Sequence, residues 1–374
     1  MNTSTNKELK SFEDLAANFA NKELLENREE NDRYPFGSFF TDVLDKAFDV
    51  GFFGITLPED LGGVGQGVSA LSVILNNISK VDASLAAIIF TNVIAQEIML
   101  NSGSSENLKK ITTISENYKE FLIAFPSYDN PSEIKSAVEV NKEGEKYILS
   151  GKVDYLVLGD FTKYALIPAV KGKDVGCSYF LIDLSSSGVV KSDPVLSLGL
   201  RACPAVDVKL NNVEGEIIGE EGKGFTYFEE VSDRMSVAQA SMATGIMKGS
   251  FDEAFEYAKD RFQGGCEIIN WSEIKMILSN LGIKTKIAEL ALCRACEAVD
   301  NKEGDYGLSS RAASIYIQEM ATELTTDGIQ VLGGNGYMKD YGQEKRFRDA
   351  KQSQCLLGIS QMKKICYMER IIGQ

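Results

Sequence analysis

The chain has 374 residues, of which 44% are hydrophobic and 25% charged, a composition typical of globular proteins with two or three domains. Its formal net charge of −15 argues against a polyanionic partner such as nucleic acid. The sequence has no histidine, which excludes Ser-His-Asp and Cys-His triads and histidine-ligated metals. Any proton transfer therefore falls to carboxylates, Lys, Tyr, Cys or a cofactor.

No apolar run is long enough to cross a membrane, and residues 1–20 lack the basic start and apolar core of a secretory signal. We therefore expect a cytoplasmic protein without membrane insertion. The seven cysteines are scattered along the chain, and only Cys293 and Cys296 form a CxxC pattern. Because that pair lies in a helical pattern with no second pair, we expect reduced, packed thiols and no metal site.

Residues 1–118 have the periodicity of an α-helical domain. Val43, Leu44 and Phe48 fall on one helical face, and a glycine-rich loop follows. The apolar stretch 69–100 predicts a pair of helices that are buried on several sides.

The periodicity changes in residues 119–228, where short β-branched and aromatic runs are separated by Gly, Asp and Lys. Val206, Val208 and Leu210 alternate with polar residues, as in a half-buried strand. Helical periodicity returns in residues 229–374. The sequence thus predicts an α+β fold, with an N-terminal helical domain, a middle antiparallel β-barrel or sandwich, and a C-terminal helical bundle.

Four glycine-containing motifs follow one another in the order of these domains. They are PEDLGGVG (58–65), IGEEGKGF (218–225), FDEAFEYAKDRFQGG (251–265) and IQVLGGNGYMKDYGQEKRFRDAK (329–351). Each motif alone is weak, since glycine-rich loops are common, but the last one is specific. Together, in this order, they resemble the acyl-CoA dehydrogenase family over essentially the whole chain.

The resemblance implies an acyl-CoA dehydrogenase fold with FAD between the sheet domain and the C-terminal bundle. Neighbouring subunits of a homotetramer or dimer would complete the site. Arg261 and Gln263 would then reach the flavin pyrophosphate of the adjacent subunit, and Gln330, Gly333 and Gly334 would cradle its adenine end. Without the neighbouring motifs, these residues would be a surface arginine and an ordinary turn.

The catalytic glutamate of the family is missing from this chain. The reaction that the resemblance implies removes an α-proton from an acyl thioester with a carboxylate, while a β-hydride passes to the flavin. In RDAKQSQCLLGISQ (348–361), the position of that glutamate is occupied by Leu357, followed by Gly358. Leu357 keeps the backbone N–H that would bind the thioester oxygen, but it cannot act as a base.

Some family members keep their base at the start of the first long C-terminal helix, immediately before an arginine. Asp233 occupies that position in SDRMSVAQASMATG (232–245), and Arg234 follows it. The resemblance therefore makes Asp233 the candidate base, next to the substrate. The alternatives are that Asp233 caps the helix or pairs with Arg234.

The turn that touches flavin and CoA in the family, T-E-P-x-x-G-S-D, corresponds here to AFPSYDNPSEIKS (124–136). This segment lacks the Thr-Glu pair and the glycines. Ser127 and Ser132 are candidate substitutes, but the alignment leaves both open.

Further departures also fall on the reactive half of the flavin. The family's W-I-[ST] triplet corresponds to a segment in which Tyr155 can still stack on the flavin ring, whereas Val157 cannot donate a hydroxyl hydrogen bond. In the last loop Ile359 replaces the usual Thr, while Ser360 and Gln361 are kept.

These departures leave three interpretations. The preferred one is an FAD-dependent acyl-CoA dehydrogenase acting on an unusual, cyclic or branched acyl-CoA, with Asp233 as base and an electron-transfer flavoprotein as electron acceptor. The second is a non-catalytic subunit that pairs with a paralogous chain in a heteromer. The third is an acyl-CoA-binding or lyase-like member without redox chemistry.

Overall fold

The structure is a computed structural model that describes residues 3–34, 41–131, 136–172 and 176–373. Its N-terminal part is helical, as the sequence predicts. The helices are α1 (Thr3–Glu23), α2 (Arg28–Asn31), α3 (Thr41–Asp49), α4 (Val68–Val81), α5 (Ala83–Asn101), α6 (Ser105–Thr112) and α7 (Tyr118–Phe121).

Helix α5 is the most deeply buried element of this part. By length and composition it could cross a membrane, so the expectation that no apolar run is long enough was wrong for this helix. It is nevertheless almost entirely buried inside the protein, which is the environment of a core helix. Asp82 caps its start, because the carboxylate accepts a hydrogen bond of 2.8 Å from the Ser84 N–H.

A sheet forms the middle of the chain. Its strands are β1 (Ile123–Ala124), β2 (Val138–Glu143), β3 (Lys146–Val157), β4 (Tyr164–Ala169), β5 (Ser178–Asp183), β6 (Val189–Lys191) and β7 (Ala205–Ile218). They are ordered β1-β4-β5-β7-β3-β2, with β6 on β7. The predicted middle β domain is confirmed, but the pair β1–β4 is parallel and the sheet is not closed, so the domain is an open, mixed sheet and not the antiparallel barrel that was one of the two predicted forms.

The C-terminal part is a helical bundle with one small hairpin. It contains α8 (Gly224–Asp260), the hairpin β8 (Phe262–Gln263) and β9 (Cys266–Glu267), α9 (Ser272–Asp300), α10 (Tyr306–Leu332), α11 (Gln343–Ser353) and α12 (Ser360–Ile372). The predicted order of helices, strands and helices is confirmed. The domain limits 118/119 and 228/229 stay predictions, and α8 already begins at Gly224.

Helix α8 is the central element of the bundle and contacts α4, α5, α9 and α10. Small residues permit the close approach of α4: a Cβ on Gly245 would lie 2.2 Å from the Asn76 carbonyl oxygen. One face of α8 therefore fixes the N-terminal helices, and its C-terminal end carries the hairpin that contributes to the candidate site.

Candidate active site

Five of the residues predicted to contact the flavin line one open groove of about 660 Å³. The groove lies where the end of α8, the β8–β9 hairpin and the end of α10 meet. The five residues are Arg261, Gln263, Gln330, Gly333 and Gly334. The fold brings them together from distant parts of the chain, while their contacts with a flavin stay a prediction.

Gly333 and Gly334 leave one wall of this groove open. Gly333 follows α10 with φ 57° and ψ −130°, a conformation that glycine adopts with little strain. Apart from their chain neighbours, no described atom lies within 4 Å of the position that a Cβ would take on either glycine. A ligand can therefore approach the backbone closely.

Arg261 provides the positive charge of the groove. It directly follows α8 and is exposed; its backbone is hydrogen-bonded to Tyr257 and Ile268, but its guanidinium has no hydrogen-bond or ion-pair partner within the described ranges. Gln263 and Gln330 are exposed as well. A planar, permanently charged guanidinium with two free amides beside it suits a pyrophosphate.

Trp271 is a groove residue that the motifs did not reveal. It is the only tryptophan of the chain, lies at the start of α9 and is 43% exposed. Its indole N–H donates a hydrogen bond of 3.2 Å to the Gln263 carbonyl oxygen. A signal in the sequence was available, because a lone tryptophan follows Arg261 closely at the start of a predicted helix.

Leu357 is buried, with 4% of its surface exposed, and has a positive φ of 59°. Its backbone N–H donates a hydrogen bond of 2.7 Å to the Ser127 carbonyl oxygen. The prediction that this N–H is kept as a free donor for a thioester oxygen is therefore wrong for this conformation. Gly358 follows with φ 105° and is buried too.

The cavity beside Leu357 is very small. It has a volume of about 20 Å³ and is lined by Leu357, Ser232, Arg311 and Lys363, among others. That is room for about one water molecule. Leu357 thus lies in a closed, packed region, in contrast to the open groove at Arg261.

Helix α11 anchors the loop that carries Leu357. Its RDAK motif lies among buried charges: Arg348 donates to the Asp32 carboxylate at 2.6 Å, and Lys345 donates to Asp349 at 2.7 Å. Asp349 also accepts the Leu200 N–H at 2.7 Å, which ties α11 to the segment before β7. The motif therefore has a structural role here, since removing one partner would leave a buried charge unpaired.

Tyr155 lies in an irregular part of β3, between Val153 and Leu156, with φ 54°. Its ring packs edge-on against Tyr128 at a centroid distance of 5.1 Å, and its hydroxyl oxygen accepts a bond of 3.3 Å from Gln352. Burial raises the pKa of Tyr155. The ring is half-buried, so part of its surface is available to a ligand.

Val157 ends β3 and is 2% exposed. Its backbone pairs with Phe125 through hydrogen bonds of 3.1 and 3.2 Å, so its main chain is already occupied. Ser127 is fully buried and donates its hydroxyl to Thr91 at 2.8 Å. Ser132 lies outside the described residues.

Ser360 and Gln361 are the first two residues of α12 and lie near the protein surface. Ser360 is half-buried and Gln361 is exposed. Their side chains are accessible, and their predicted role near the flavin stays a prediction.

Asp233 lies inside α8, well after its start at Gly224, so the alternative that it caps this helix is wrong. One carboxylate oxygen accepts a bond of 2.6 Å from the Arg311 Nε, and the other pairs with the guanidinium of Arg370 on α12. One of these two ion pairs would have to be released before that carboxylate oxygen of Asp233 could accept a proton from a substrate carbon. Its side chain is 13% exposed.

The alternative that Asp233 pairs with Arg234 is wrong as well. Its guanidinium donates a hydrogen bond of 2.6 Å to Glu97 on α5. Glu97 is buried, and burial raises its pKa while Arg234 acts in the opposite direction. Both residues border a second cavity of about 730 Å³ between α5, α8 and α9, which makes Glu97 a buried carboxylate that the motifs did not reveal.

Residues 222–372 match the protein-family model described as "Acyl-CoA dehydrogenase, C-terminal domain", and residues 6–113 match "Acyl-CoA dehydrogenase, N-terminal domain". The chain belongs to the acyl-CoA dehydrogenase family. The resemblance drawn from the four motifs is therefore confirmed. Members of this family are FAD-dependent oxidoreductases, and the chain is an oxidoreductase of this type.

Relatives of this acyl-CoA dehydrogenase match along most of their length. The caffeyl-CoA reductase-Etf complex subunit CarC of Acetobacterium woodii is 29% identical over 371 residues, which cover 95% of this chain and 96% of that protein. Cyclohex-1-ene-1-carbonyl-CoA dehydrogenase of Syntrophus aciditrophicus is 26% identical over 335 residues, with 87% and 81% covered.

A solved structure extends the similarity to three dimensions. It is reported as "Electron transferring flavoprotein of Acidaminococcus fermentans: Towards a mechanism of flavin-based electron bifurcation". One of its chains matches this one with a TM-score of 0.91 and 25% identity, and 100% of both chains is covered.

The residues of the groove fit the nucleotide end of FAD, because an unpaired guanidinium, two free amides and an approachable backbone meet on one surface. The region of Leu357 is closed. In this acyl-CoA dehydrogenase, the open groove at Arg261 and the packed region at Leu357 thus differ in the access that they give to a ligand. Within the described residues, no group of three or more His, Cys, Asp or Glu could hold a metal ion.

Proposed function

We propose that this acyl-CoA dehydrogenase removes an α-proton and a β-hydride from a cyclic or branched acyl-CoA thioester. The observation that carries the proposal is the groove at Arg261, whose residues fit the nucleotide end of FAD. Leu357 supports an unusual acyl group, because an apolar side chain takes the place of the family's base. The name of one relative, with 26% identity, specifies a cyclic acyl-CoA.

Arg261 and Gln263 hold the pyrophosphate in this proposal, and Gln330, Gly333 and Gly334 hold the adenine end. The groove is open to the outside, which agrees with a flavin contributed by an adjacent subunit of a homotetramer or dimer. Bound FAD supplies the acceptor for the β-hydride. Tyr155 offers a half-exposed ring at the reactive end.

Asp233 takes the α-proton in this proposal. The Arg370 guanidinium must first leave the Asp233 carboxylate oxygen with which it pairs. Of the ion pairs that Asp233 forms with Arg370 and Arg311, the one with Arg370 is the easier to release. Arg370 is 35% exposed on the last helix, whereas the Arg311 side chain is 10% exposed. Movement of the C-terminal end of α12, which carries Arg370, would thus free one oxygen for the substrate while Arg311 still holds the other.

Electrons then leave through an electron-transfer flavoprotein. This part of the proposal is supported by the relative with 29% identity, whose name places it in a complex with Etf. We place the reaction in the cytoplasm, and the seven free cysteines agree with a reducing compartment.

A second function is favoured by the closed region around Leu357. The Leu357 N–H is bound to Ser127, and the Asp233 carboxylate is bound to two guanidinium groups. A chain with these features is suited to be a non-catalytic subunit, which lends its groove to the flavin of a paralogous partner.

The visible spectrum of the protein expressed alone distinguishes the two functions. The first predicts flavin absorption bands that are bleached anaerobically by cyclohexanecarbonyl-CoA and less by butyryl-CoA. Asp233→Asn should keep the bands but prevent bleaching. Asp305→Asn is the matched control, because Asp305 also pairs with Arg370 but lies outside the proposed proton transfer.

Each outcome has a defined meaning. A colourless homogeneous protein that acquires flavin only with a paralogous chain would support the second function. Bleaching of Asp233→Asn at the wild-type rate would remove Asp233 from the mechanism. Bleaching by butyryl-CoA alone would contradict the cyclic or branched substrate.

A further inference from the structure

The β8–β9 hairpin departs from the family pattern at one aromatic position. The family's helix end, Y-x-x-x-R-x-x-F-G, corresponds here to a segment from Tyr257 to Gly265 in which Gly264 takes the place of the phenylalanine. Gly264 and Gly265 form the two-residue turn of the hairpin, with φ 73° and 97°. A phenylalanine would be strained at this φ.

Trp271 occupies the space beside this glycine. A Cβ on Gly264 would lie 3.0 Å from Cζ2 of the indole, which is tighter than ordinary contact, and 3.6 Å from Cε2. A phenylalanine ring at 264 and the indole at 271 would therefore compete for one place. Trp271 therefore supplies an aromatic ring to the groove beside a position, 264, that carries no side chain.

The indole is held in a defined orientation. Its Nε1–H donates to the Gln263 carbonyl oxygen at 3.2 Å, so the hairpin fixes the ring. It lines the same groove as Arg261, Gln330 and Gly333, and 43% of the residue is exposed. A fixed aromatic face beside a guanidinium is a suitable surface for a nucleobase that carries phosphates.

We infer that Trp271 is the residue on which the adenine ring of the nucleotide stacks, while Arg261 binds its pyrophosphate. This inference rests on the proposed flavin groove and names a positioning residue for the cofactor, since Trp271 lies away from the reacting atoms. Loss of the indole removes base–aromatic stacking and should weaken FAD binding by about 5- to 100-fold.

The intrinsic fluorescence of the protein tests the inference directly. Trp271 is the only tryptophan, so the tryptophan emission reports this groove alone. The flavin-free protein is titrated with ADP and with pyrophosphate, both of which can bind Arg261. We expect ADP to quench and shift the emission and pyrophosphate to leave it nearly unchanged, because only ADP carries the adenine.

Substitutions provide a second measurement, the dissociation constant of FAD. Trp271→Leu keeps apolar volume without an aromatic face and should show the full loss. Trp271→Phe keeps a ring and should bind within about 3-fold of wild type. Phe262→Leu is the matched control: Phe262 is an exposed aromatic of the same hairpin that does not line the groove, and no change is expected.

The two proposals fail in different ways. If FAD binds but ADP leaves the emission unchanged up to millimolar concentrations, or Trp271→Leu binds FAD as wild type does, the inference on Trp271 is wrong. If ADP quenches the emission but the protein never binds FAD, alone or with a paralogous chain, the groove inference stands and the proposed oxidoreductase activity on acyl-CoA fails.

Discussion

The backbone N–H of Leu357 donates a 2.7 Å hydrogen bond to the carbonyl oxygen of Ser127. This bond joins the loop after α11 to the turn after β1, two segments that face the reactive end of the flavin in the proposed arrangement. Leu357 is therefore part of a structural contact in this chain. Leu357 makes this contact in a left-handed backbone conformation, which is unfavourable for a non-glycine residue. The packing around Leu357 must therefore compensate the cost of that conformation.

Restoring a carboxylate at this position tests whether the site is otherwise intact. We expect Leu357→Glu to destabilise the protein by about 2–4 kcal/mol, because a charge would replace a buried apolar side chain. Flavin bleaching by butyryl-CoA should increase at the same time. Leu357→Gln, with similar shape but no charge, should show no such gain. If bleaching does not increase in Leu357→Glu, a carboxylate at this position does not reach the substrate.

Asp233 contributes to stability through its two ion pairs, whatever its role in proton transfer. Asp233→Asn should lower the free energy of unfolding by about 1–3 kcal/mol, because Arg311 is buried and keeps only Glu229 as a charged partner. Urea unfolding measures this loss. Asp305→Asn, whose side chain is 45% exposed, should change stability by less than about 0.5–1 kcal/mol. Equal losses in both variants would show that Arg370 contributes most of the energy.

The different fates of the groove and of Asp233 have a physical reason. The groove residues lie in local motifs whose glycines and arginine indicate an exposed turn, so the sequence alone was sufficient to predict these residues as site candidates. The partners of Asp233 are distant: Arg311 is 78 residues away and Arg370 is 137. No periodicity encodes such ion pairs, so the sequence offers only the helix cap and Arg234 as alternatives to a role of Asp233 as base. The sequence likewise did not predict that the sheet is open, because the pattern of a strand does not determine whether the two edges of its sheet pair with each other.

A partly buried acidic group, Glu253, should make stability depend on pH. Burial acts to raise the pKa of Glu253, but the guanidinium groups of Arg346 and Arg28 outweigh it and hold this pKa at about 2. Since the folded-state pKa is below the unfolded value, the stabilisation is complete above about pH 4.5 and is lost as the pH falls towards 2. It amounts to about 3 kcal/mol.

Acid unfolding of Glu253→Gln checks this pH dependence. The variant should be less stable than wild type at pH 7, and the difference should shrink between about pH 4.5 and 2. Glu256→Gln is a control on the same helix, because Glu256 forms only an exposed pair with Lys259. A constant difference between wild type and Glu253→Gln over this range would contradict the assignment.

Substitutions at the two glycines of the groove distinguish effects on FAD binding from effects on the stability of the fold. A methyl group on either Gly333 or Gly334 would meet open space within the chain. At Gly334, which has no positive φ, an effect on FAD binding must therefore come from projection of the methyl group into the groove. We expect Gly334→Ala to weaken FAD binding while the free energy of unfolding stays within about 0.5 kcal/mol of wild type. Gly333→Ala should weaken binding and also cost about 1–3 kcal/mol of stability, because only Gly333 has a positive φ, 57°. Flavin titration and urea unfolding of both variants give the two quantities. FAD binding by Gly334→Ala with wild-type affinity would mean that the nucleotide lies elsewhere on the protein.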